Sequence, residues 1–421
     1  MSNLQVGFAG LTHLGLNYLA ASAEKGFKSI GFDFDKNKID KLKKFSIDYK
    51  EPNLKKTIIK NRKKISFTEN LVELKKCNIV FISQDVQTNE KGDSYYYDLR
   101  KLVERTSKSL NKKAIMVILS QVQPGFTRNI TFDKKRLFYQ VETLIFGNAL
   151  QRALHPERII VGCDNSENKL NQFFFRYLNK FKCPIIKMKY ESAEFAKISI
   201  NILLASSITT TNMLAQLCEK ISADWHEIIP ALKLDKRIGQ KAYIKPGLGI
   251  SGGNIERDIY SVYKILNKKN EPTHLIKSFQ RNSQYMKSWV YRTLEKEKIL
   301  NKKKFNNIGI LGLAYKENTN STKNSPTIDL LKKLNKKKIK IYDPKAKLKF
   351  KTKNFTQVKN AKILIKDSNV IILMTPWKEF SQIEKELKQN KNKKIIVIDP
   401  HRILHIKKNK NIKYLTLGKQ N

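Results

Sequence analysis

Near the start of the chain the hexapeptide Gly10-Leu11-Thr12-His13-Leu14-Gly15 has the outer glycine spacing of a phosphate-binding turn. An apolar run, Leu4–Ala9, precedes it, and a helical stretch follows to about Lys25. In a G-x-G-x-x-G turn the first glycine permits the tight bend and the last lets the helix pack on the strand. The helix N-terminus then offers unpaired N–H groups to a diphosphate. Asp33 closes the next strand-like run, where an acid would hold a ribose hydroxyl. A carboxylate there favours NAD, because it repels the 2′-phosphate of NADP. The middle position is Thr12, whose side chain crowds the closest approach of a diphosphate. Gly10, Thr12, Leu14, Gly15 and Asp33 are the candidate cofactor contacts. The bland alternative is a strand–helix turn that binds nothing, with Asp33 solvated in an Asp33-Phe34-Asp35 turn. Cys77, Cys163, Cys183 and Cys218 lack metal-ligand spacing. Four cysteines are too few for a disulfide framework in 421 residues, which fits a reducing cytoplasm.

The elements that must position this turn alternate. Ser29–Asp33, Cys77–Ser83 and Ala114–Ser120 are short apolar runs separated by helical patterns, the signature of parallel βαβ units. Glu191–Ile221 reads as one long helix, a second starts from Asp224, and Ile259–Lys298 is mostly helical. Strands return at Asn307–Leu313, Ile339–Tyr342, Val370–Met374 and Lys394–Ile398. The fold class is therefore α/β: two Rossmann-like domains joined by a central all-helical domain. No signal peptide is expected, because Leu4–Ala9 already reads as a buried strand. Ser199, Asn201, Ser206 and Ser207 interrupt the most apolar stretch, Ile198–Ala215, and argue against a membrane span.

With 83 Lys+Arg against 37 Asp+Glu the formal net charge is +46. Such a charge raises nucleic acid or an anionic surface as a partner. The excess is mostly lysine, is spread along the chain and travels with many Asn and Ile, the mark of compositional drift. Runs such as Lys302-Lys303-Lys304 fall at domain edges, and no aromatic-interleaved basic stripe stands out. Nucleic acid is not the expected partner; an anionic small substrate is.

Two segments, AEFAKISIN (residues 193–201) and DKRIGQKAYIKPGLGISGGNIERD (residues 235–258), resemble the UDP-glucose/GDP-mannose 6-dehydrogenase family. VETLIFGNALQRALHPERIIVG, LGLAYKENTNSTKNSP and IYDP extend the resemblance over nearly the whole chain, in the family's order. The resemblance implies an NAD-binding Rossmann domain at 1–188, a helical dimerisation domain at 189–298 and a nucleotide-sugar-binding Rossmann-like domain at 299–421. It also implies a homodimer. Such enzymes oxidise the C6 hydroxymethyl of a nucleotide-linked sugar to a carboxylate. Two hydrides leave in turn, and a cysteine captures the aldehyde between them.

Carried over by position, Glu142 matches a glutamate acting in base chemistry at the hydrolytic step. Lys197 and Asn201 match a lysine that stabilises oxyanion charge and an asparagine that orients sugar or water; at i,i+4 they share a helix face. Asp258 matches an acid that helps activate water. Arg237, Tyr243, Gly249 and Lys316 match substrate contacts, Arg237 reaching the neighbouring subunit's substrate. The family's cysteine falls on Asn254, which cannot form a thioester. The threonine of its S-T-V-P segment falls on Gln121, a cofactor-binding candidate, a second acid on Phe146, the cofactor loop's T-P pair on Val86-Gln87, a lysine on Arg257 and a substrate arginine on Lys323. Three readings follow: an NAD-dependent dehydrogenase working without covalent capture, a non-catalytic nucleotide-sugar-binding descendant, and a basic nucleic-acid- or surface-binding protein on a borrowed scaffold.

Overall fold

The computed structural model describes residues 4–49, 51–89, 93–301, 307–350, 352–389, 394–406 and 409–420. The run Lys302-Lys303-Lys304 lies outside them. The chain divides into two compact units, Met1–Ile200 and Asn201–Asn421.

In the first unit eight strands form one sheet: β1 Gln5–Ala9, β2 Lys28–Phe32, β3 Ile65–Thr68, β4 Ile79–Ile82, β5 Ile115–Ile118, β6 Leu137–Gln140, β7 Ile159–Cys163 and β8 Ile185–Lys189. Their order is β3-β2-β1-β4-β5-β6-β7-β8. Neighbours are parallel except β6 and β7, which run antiparallel. β4 and β5, IVFI and IMVI, are buried at every position, as befits parallel strands covered on both faces. Gly7 of β1 stands opposite Ile30 of β2 and Val80 of β4, so the chain order reverses between β1 and β4. Ligands of open α/β sheets bind at the strand C-termini beside such a reversal. The helix His13–Glu24 leaves β1 there and is buried from His13 to Ala23.

The helix Tyr190–Cys218 follows β8 and continues into the second unit. By length and composition it is apolar enough to cross a bilayer, which the interrupting serines had argued against. Four of its polar residues are engaged with protein groups: Glu194 with Gly125 and Thr127, Lys197 with Glu142, Asn201 with Asp258, Asn212 with Gly247.

The second unit joins helices Trp225–Leu234, Asn254–Lys268, His274–Lys287 and Trp289–Lys296 to a six-stranded sheet. Its strands are β9 Ile308–Leu311, β10 Ile339–Tyr342, β11 Phe355–Gln357, β12 Val370–Leu373, β13 Ile395–Ile398 and β14 Ile412–Leu415. All are parallel, in the order β11-β10-β9-β12-β13-β14. This repeats the order of the first six strands of the first sheet. Leu248, Met286, Trp289 and Val290 share one apolar core with the sheet residues, so helices and sheet bury a common face.

Candidate active site

In the first unit the glycine turn is held by backbone geometry. Gly10 has φ +94°, and its N–H donates to the Phe32 carbonyl at 2.9 Å, tying the turn to β2. A Cβ on Gly15 would stand 2.1 Å from the Gly10 carbonyl oxygen, so only glycine fits where helix and turn touch. Thr12 takes the N-cap position with extended backbone. Its hydroxyl turns back on the segment after β4, donating to the Ser83 carbonyl and accepting from the Asp85 N–H, each at 3.1 Å. The Leu14 side chain is buried in the core of the unit, so any role of Leu14 toward a cofactor falls to its backbone.

Asp33 follows β2 and is committed on both oxygens. Oδ2 accepts from the Leu11 N–H at 2.9 Å and the Lys38 ammonium at 2.7 Å, and Oδ1 accepts from the Asp35 N–H at 3.1 Å. The second unit repeats the device: Gly312, at φ +104°, donates to the Tyr342 carbonyl, and Asp343 Oδ2 accepts from the Leu313 and Ala314 N–H groups. Beside the first turn lies a cleft of about 360 Å³ lined by Gly10, Thr12, Asp33, Phe34, Lys38 and Arg105, among others. The Arg105 guanidinium lies 4.7 Å from the centre of the Phe34 ring. Phe34, Lys38 and Arg105 were missed from the sequence. Lys38, five residues after Asp33, was the one detectable signal; Arg105 comes from a distant helix. The glycines, an acid beyond β2 and an adjoining cleft fit a dinucleotide. Gln121 lies, half-buried, just after β5.

Two of the candidate site residues of this unit form a pair. Glu142, just after β6, accepts from the Leu144 N–H at 2.9 Å and meets the Lys197 ammonium at 3.1 Å. Both side chains are largely withdrawn from water, 15% and 13% exposed, where an unpaired charge would be costly. Glu194 anchors the same helix: fully buried, it accepts from the Gly125 and Thr127 N–H groups at 2.6 and 2.8 Å. Burial pushes its carboxyl above the ordinary glutamate range, and those hydrogen bonds oppose the shift. Phe146 stacks on His13, ring centres 4.3 Å apart.

In the second unit Asn201 donates through Nδ2 to Asp258 Oδ2, and Arg257 Nε lies 3.2 Å from Asp258 Oδ1. Asp258 is thus buried and engaged on both oxygens. Asn254 opens the helix Asn254–Lys268, after Gly252 and Gly253 with φ +92° and +100°. A Cβ on Gly252 would stand 2.3 Å from the Tyr315 ring, and one on Gly249 2.5 Å from the Ser283 carbonyl. The glycines therefore press this loop against Tyr315 and the helix His274–Lys287. Lys316 extends over the Tyr315 ring. Glu256 binds Lys287 and Asn324, at 2.9 and 2.6 Å, a tie between residues 31 and 68 positions apart that no local spacing marks. Arg237 is exposed and, among the described residues, pairs with its neighbour Asp235. Tyr243 is exposed, and its carbonyl accepts from the Thr211 hydroxyl.

All four cysteines are free thiols. Burial pushes the Cys77 thiol up to about 12 and raises Cys163, Cys183 and Cys218. None is a ready thiolate.

Three family models match in series. They are the NAD binding domain of the UDP-glucose/GDP-mannose dehydrogenase family at residues 4–178, its central domain at 191–284 and its UDP binding domain at 309–406. The UDP-glucose 6-dehydrogenase of Rickettsia bellii is 28% identical, covering 99% of both chains. UDP-glucose 6-dehydrogenase TuaD of Bacillus subtilis is 26% identical over 94% of this chain and 88% of its own. Among solved structures, a UDP-glucose dehydrogenase from Pyrobaculum islandicum superposes with TM-score 0.83 at 21% identity, covering 99% of this chain and 98% of its own. The UDP-N-acetyl-mannosamine dehydrogenase Cap5O from Staphylococcus aureus gives 0.79 at 20%, covering 99% of each. With all three parts matched in order, this chain belongs to the UDP-glucose/GDP-mannose dehydrogenase family and is an NAD-dependent nucleotide-sugar dehydrogenase.

Proposed function

We propose that this enzyme oxidises the C6 hydroxymethyl of a UDP-linked hexose and releases the aldehyde, or slowly oxidises its hydrate, without a thioester. One observation carries the reading: the residue opening the helix after the glycine loop is Asn254, an amide, where covalent capture needs a thiol. NAD, when bound, accepts the hydride that leaves C6. The hydroxyl proton leaves at the same time, to solvent water. Lys197, beside Glu142, supplies the positive charge that steadies the developing C6 oxyanion, and the Asn201 amide orients the sugar oxygen. A second oxidation needs water added to the aldehyde and a base to take its proton. Asp258, held by Asn201 and Arg257, is the acid proposed for that task. The residue roles of Gln121, Arg237, Tyr243, Gly249 and Lys316, and the three-part division at 188 and 298, belong to the same reading.

We also infer a homodimer in a reducing cytoplasm, serving polysaccharide synthesis. Leu203, Thr210, Leu214 and Leu217 lie exposed along the helix Tyr190–Cys218 at spacings of seven, four and three, a coiled-coil-like seam for a second copy. The four cysteines are free thiols.

The test is stoichiometric. Wild-type protein with a UDP-hexose should yield about one NADH per sugar, unaffected by thiol alkylation. Losing a nucleophile that acts as a unit with its neighbours costs several powers of ten in rate. Asn254→Cys should give a substrate mass adduct and move the yield toward two. Rapid production of two NADH by the wild type would overturn the reading.

A further inference from the structure

Beyond β5 the chain runs through Ser120 and Gln121 to a turn at Gly125, and both ends of this loop are tied. At its start the Ser120 hydroxyl donates to the Gln84 carbonyl at 2.6 Å, and Gln84 lines the cleft beside the first glycine turn. Val122 and Phe126 are buried in a core of the same unit. At its far end the loop closes on Glu194. Gly125 takes φ +90°, a left-handed conformation that glycine adopts freely. There the N–H groups of Gly125 and Thr127 converge on one carboxylate, donating to Oε2 and Oε1 at 2.6 and 2.8 Å. Backbone N–H groups gathered in this way make a concave seat for an anion. Here the anion is a side chain of the helix Tyr190–Cys218, fully buried.

The same helix carries Lys197 three residues further on, a neighbouring position on its surface. Lys197 meets Glu142 at 3.1 Å. Tyr190, at the start of the helix, donates to the Leu137 carbonyl at 2.8 Å and so ties it to β6, the strand that leads to Glu142. Arg128 also reaches this helix, at Glu191, but that pair is 36% and 41% exposed, and an ion pair so wet holds position weakly. The buried tie between loop and helix is Glu194.

We propose that Glu194 is a positioning residue: its buried carboxylate sets the distance between the loop that carries Gln121 and the ammonium of Lys197. The inference rests on the roles proposed above for these two residues, a cofactor contact and the charge that steadies the C6 oxyanion. Glu194 is closed off from solvent and acts through them. Hydride transfer needs acceptor and oxyanion charge in place together, and a misplacement of ~1 Å costs about a hundredfold in rate. An amide cannot hold the turn. Its one oxygen accepts from one N–H, and its NH₂ group faces the other, donor against donor. Relief of that clash moves the loop or the helix.

The experiment is steady-state turnover of the full chain with NAD and a UDP-hexose, with the working sites counted by calorimetric titration with NAD. Glu194→Gln should lower kcat per NAD site by about tenfold to a hundredfold and leave the KM of the UDP-hexose within about twofold. Glu194→Asp keeps the charge on a shorter arm that reaches one N–H of the two. It should fall between wild type and Glu194→Gln, and it keeps the test open where the amide variant does not fold. Fewer NAD sites with unchanged turnover at each would make Glu194 a residue of the fold alone and overturn the proposal. Lys197→Met separates the remaining outcomes. If it lowers kcat while both Glu194 variants stay within about twofold of wild type, the proposal falls and the function stands. If Lys197→Met turns over as wild type does, the role of Lys197 falls and takes the proposal with it. A wild type that turns over no UDP-hexose overturns the proposed function and this inference together.

Discussion

Replacing Glu51 tests whether one buried carboxylate locks the glycine-turn helix to the segment that carries Glu142. The Glu51 side chain is 1% exposed, and Oε2 lies 2.9 Å from His13 Nε2. The same oxygen accepts from the Gly147 N–H at 3.0 Å, and Oε1 accepts from the Ala149 N–H at 2.8 Å. Asn148, which caps the helix Ala149–Leu154, makes no side-chain cap bond, so Glu51 does that work from a distance. Glu51→Gln keeps the volume and one acceptor. If that acceptor stays on Ala149, the new NH₂ group faces the Gly147 N–H, donor against donor. A hydrogen bond to a charged acceptor contributes about 1.5–3 kcal/mol, and a stranded buried N–H costs about 1–3 kcal/mol. These overlap, so the expected loss is about 3–4 kcal/mol, confined to the segment around 142–154. At about 1.4 kcal/mol per decade this is two to three powers of ten in local opening. Amide hydrogen exchange on the intact chain reads it directly: Gly147 should exchange about a hundredfold or more faster, Ala149 by less. Phe146, stacked on His13 in this segment, should loosen with it. Protection at Gly147 within threefold of wild type would refute the argument.

Two further expectations concern the second unit and the exposed helix seam. Arg402 grips both oxygens of Asp224, at 2.6 and 2.7 Å, and Lys419 lies 3.4 Å away; the Arg402 hydrogen bonds hold the Asp224 carboxyl down at about 2 against desolvation. The folded value lies below the unfolded one, so this stability is full above pH ~4 and is lost as pH falls toward 2; Asp224→Asn should cost about 2 kcal/mol at neutral pH and flatten the acid limb. All three tryptophans, Trp225, Trp289 and Trp377, lie in this unit, so their fluorescence during acid titration reports it. Leu217→Glu should place a charge on the exposed seam and leave the protein sedimenting as a single chain at micromolar concentration, where wild type sediments as a dimer; a wild-type monomer would remove the seam argument.

The fold was legible where burial is strongest. β1, β4, β5, β9 and β12 are continuous apolar runs because parallel strands are covered on both faces, and each stood out in the sequence. β6 and β7, though buried at every position, went unmarked; the other unmarked strands were short, exposed or polar. β8 reads IIKMK with its lysines in the open, and β11 has three residues. Such edge strands owe their pairing to neighbours rather than to local pattern. The Gly10 turn and Asp33 were likewise visible, because a positive φ and a carboxylate at the end of a strand leave fixed residue types. Glu51 and Glu194 were not. Each accepts from backbone N–H groups 67 to 98 residues away. Nothing in local spacing marks an acid for such a task.

The site itself was legible only in pairs, and the pairs bear on the chemistry. Glu142 and Lys197 compensate one another at 3.1 Å, as do Asn201, Arg257 and Asp258 in the second unit. A buried ion needs such company whatever reaction it serves, so pairing alone does not identify a catalyst. What distinguishes this chain is the position between them in sequence. Asn254 opens a helix whose entry is fixed by two glycines of positive φ, an arrangement that would lower the pKa of a thiol placed there. Asn254 itself carries an amide, which is no nucleophile toward an aldehyde. Meanwhile all four thiols are raised by burial, and Asp258 is held by Asn201 and Arg257. On the function proposed above, hydride loss from an alcohol asks for a hydride acceptor, a proton acceptor and charge to steady the oxyanion, none of which is a thiol, whereas covalent capture of the aldehyde asks for a thiol that Asn254 does not offer.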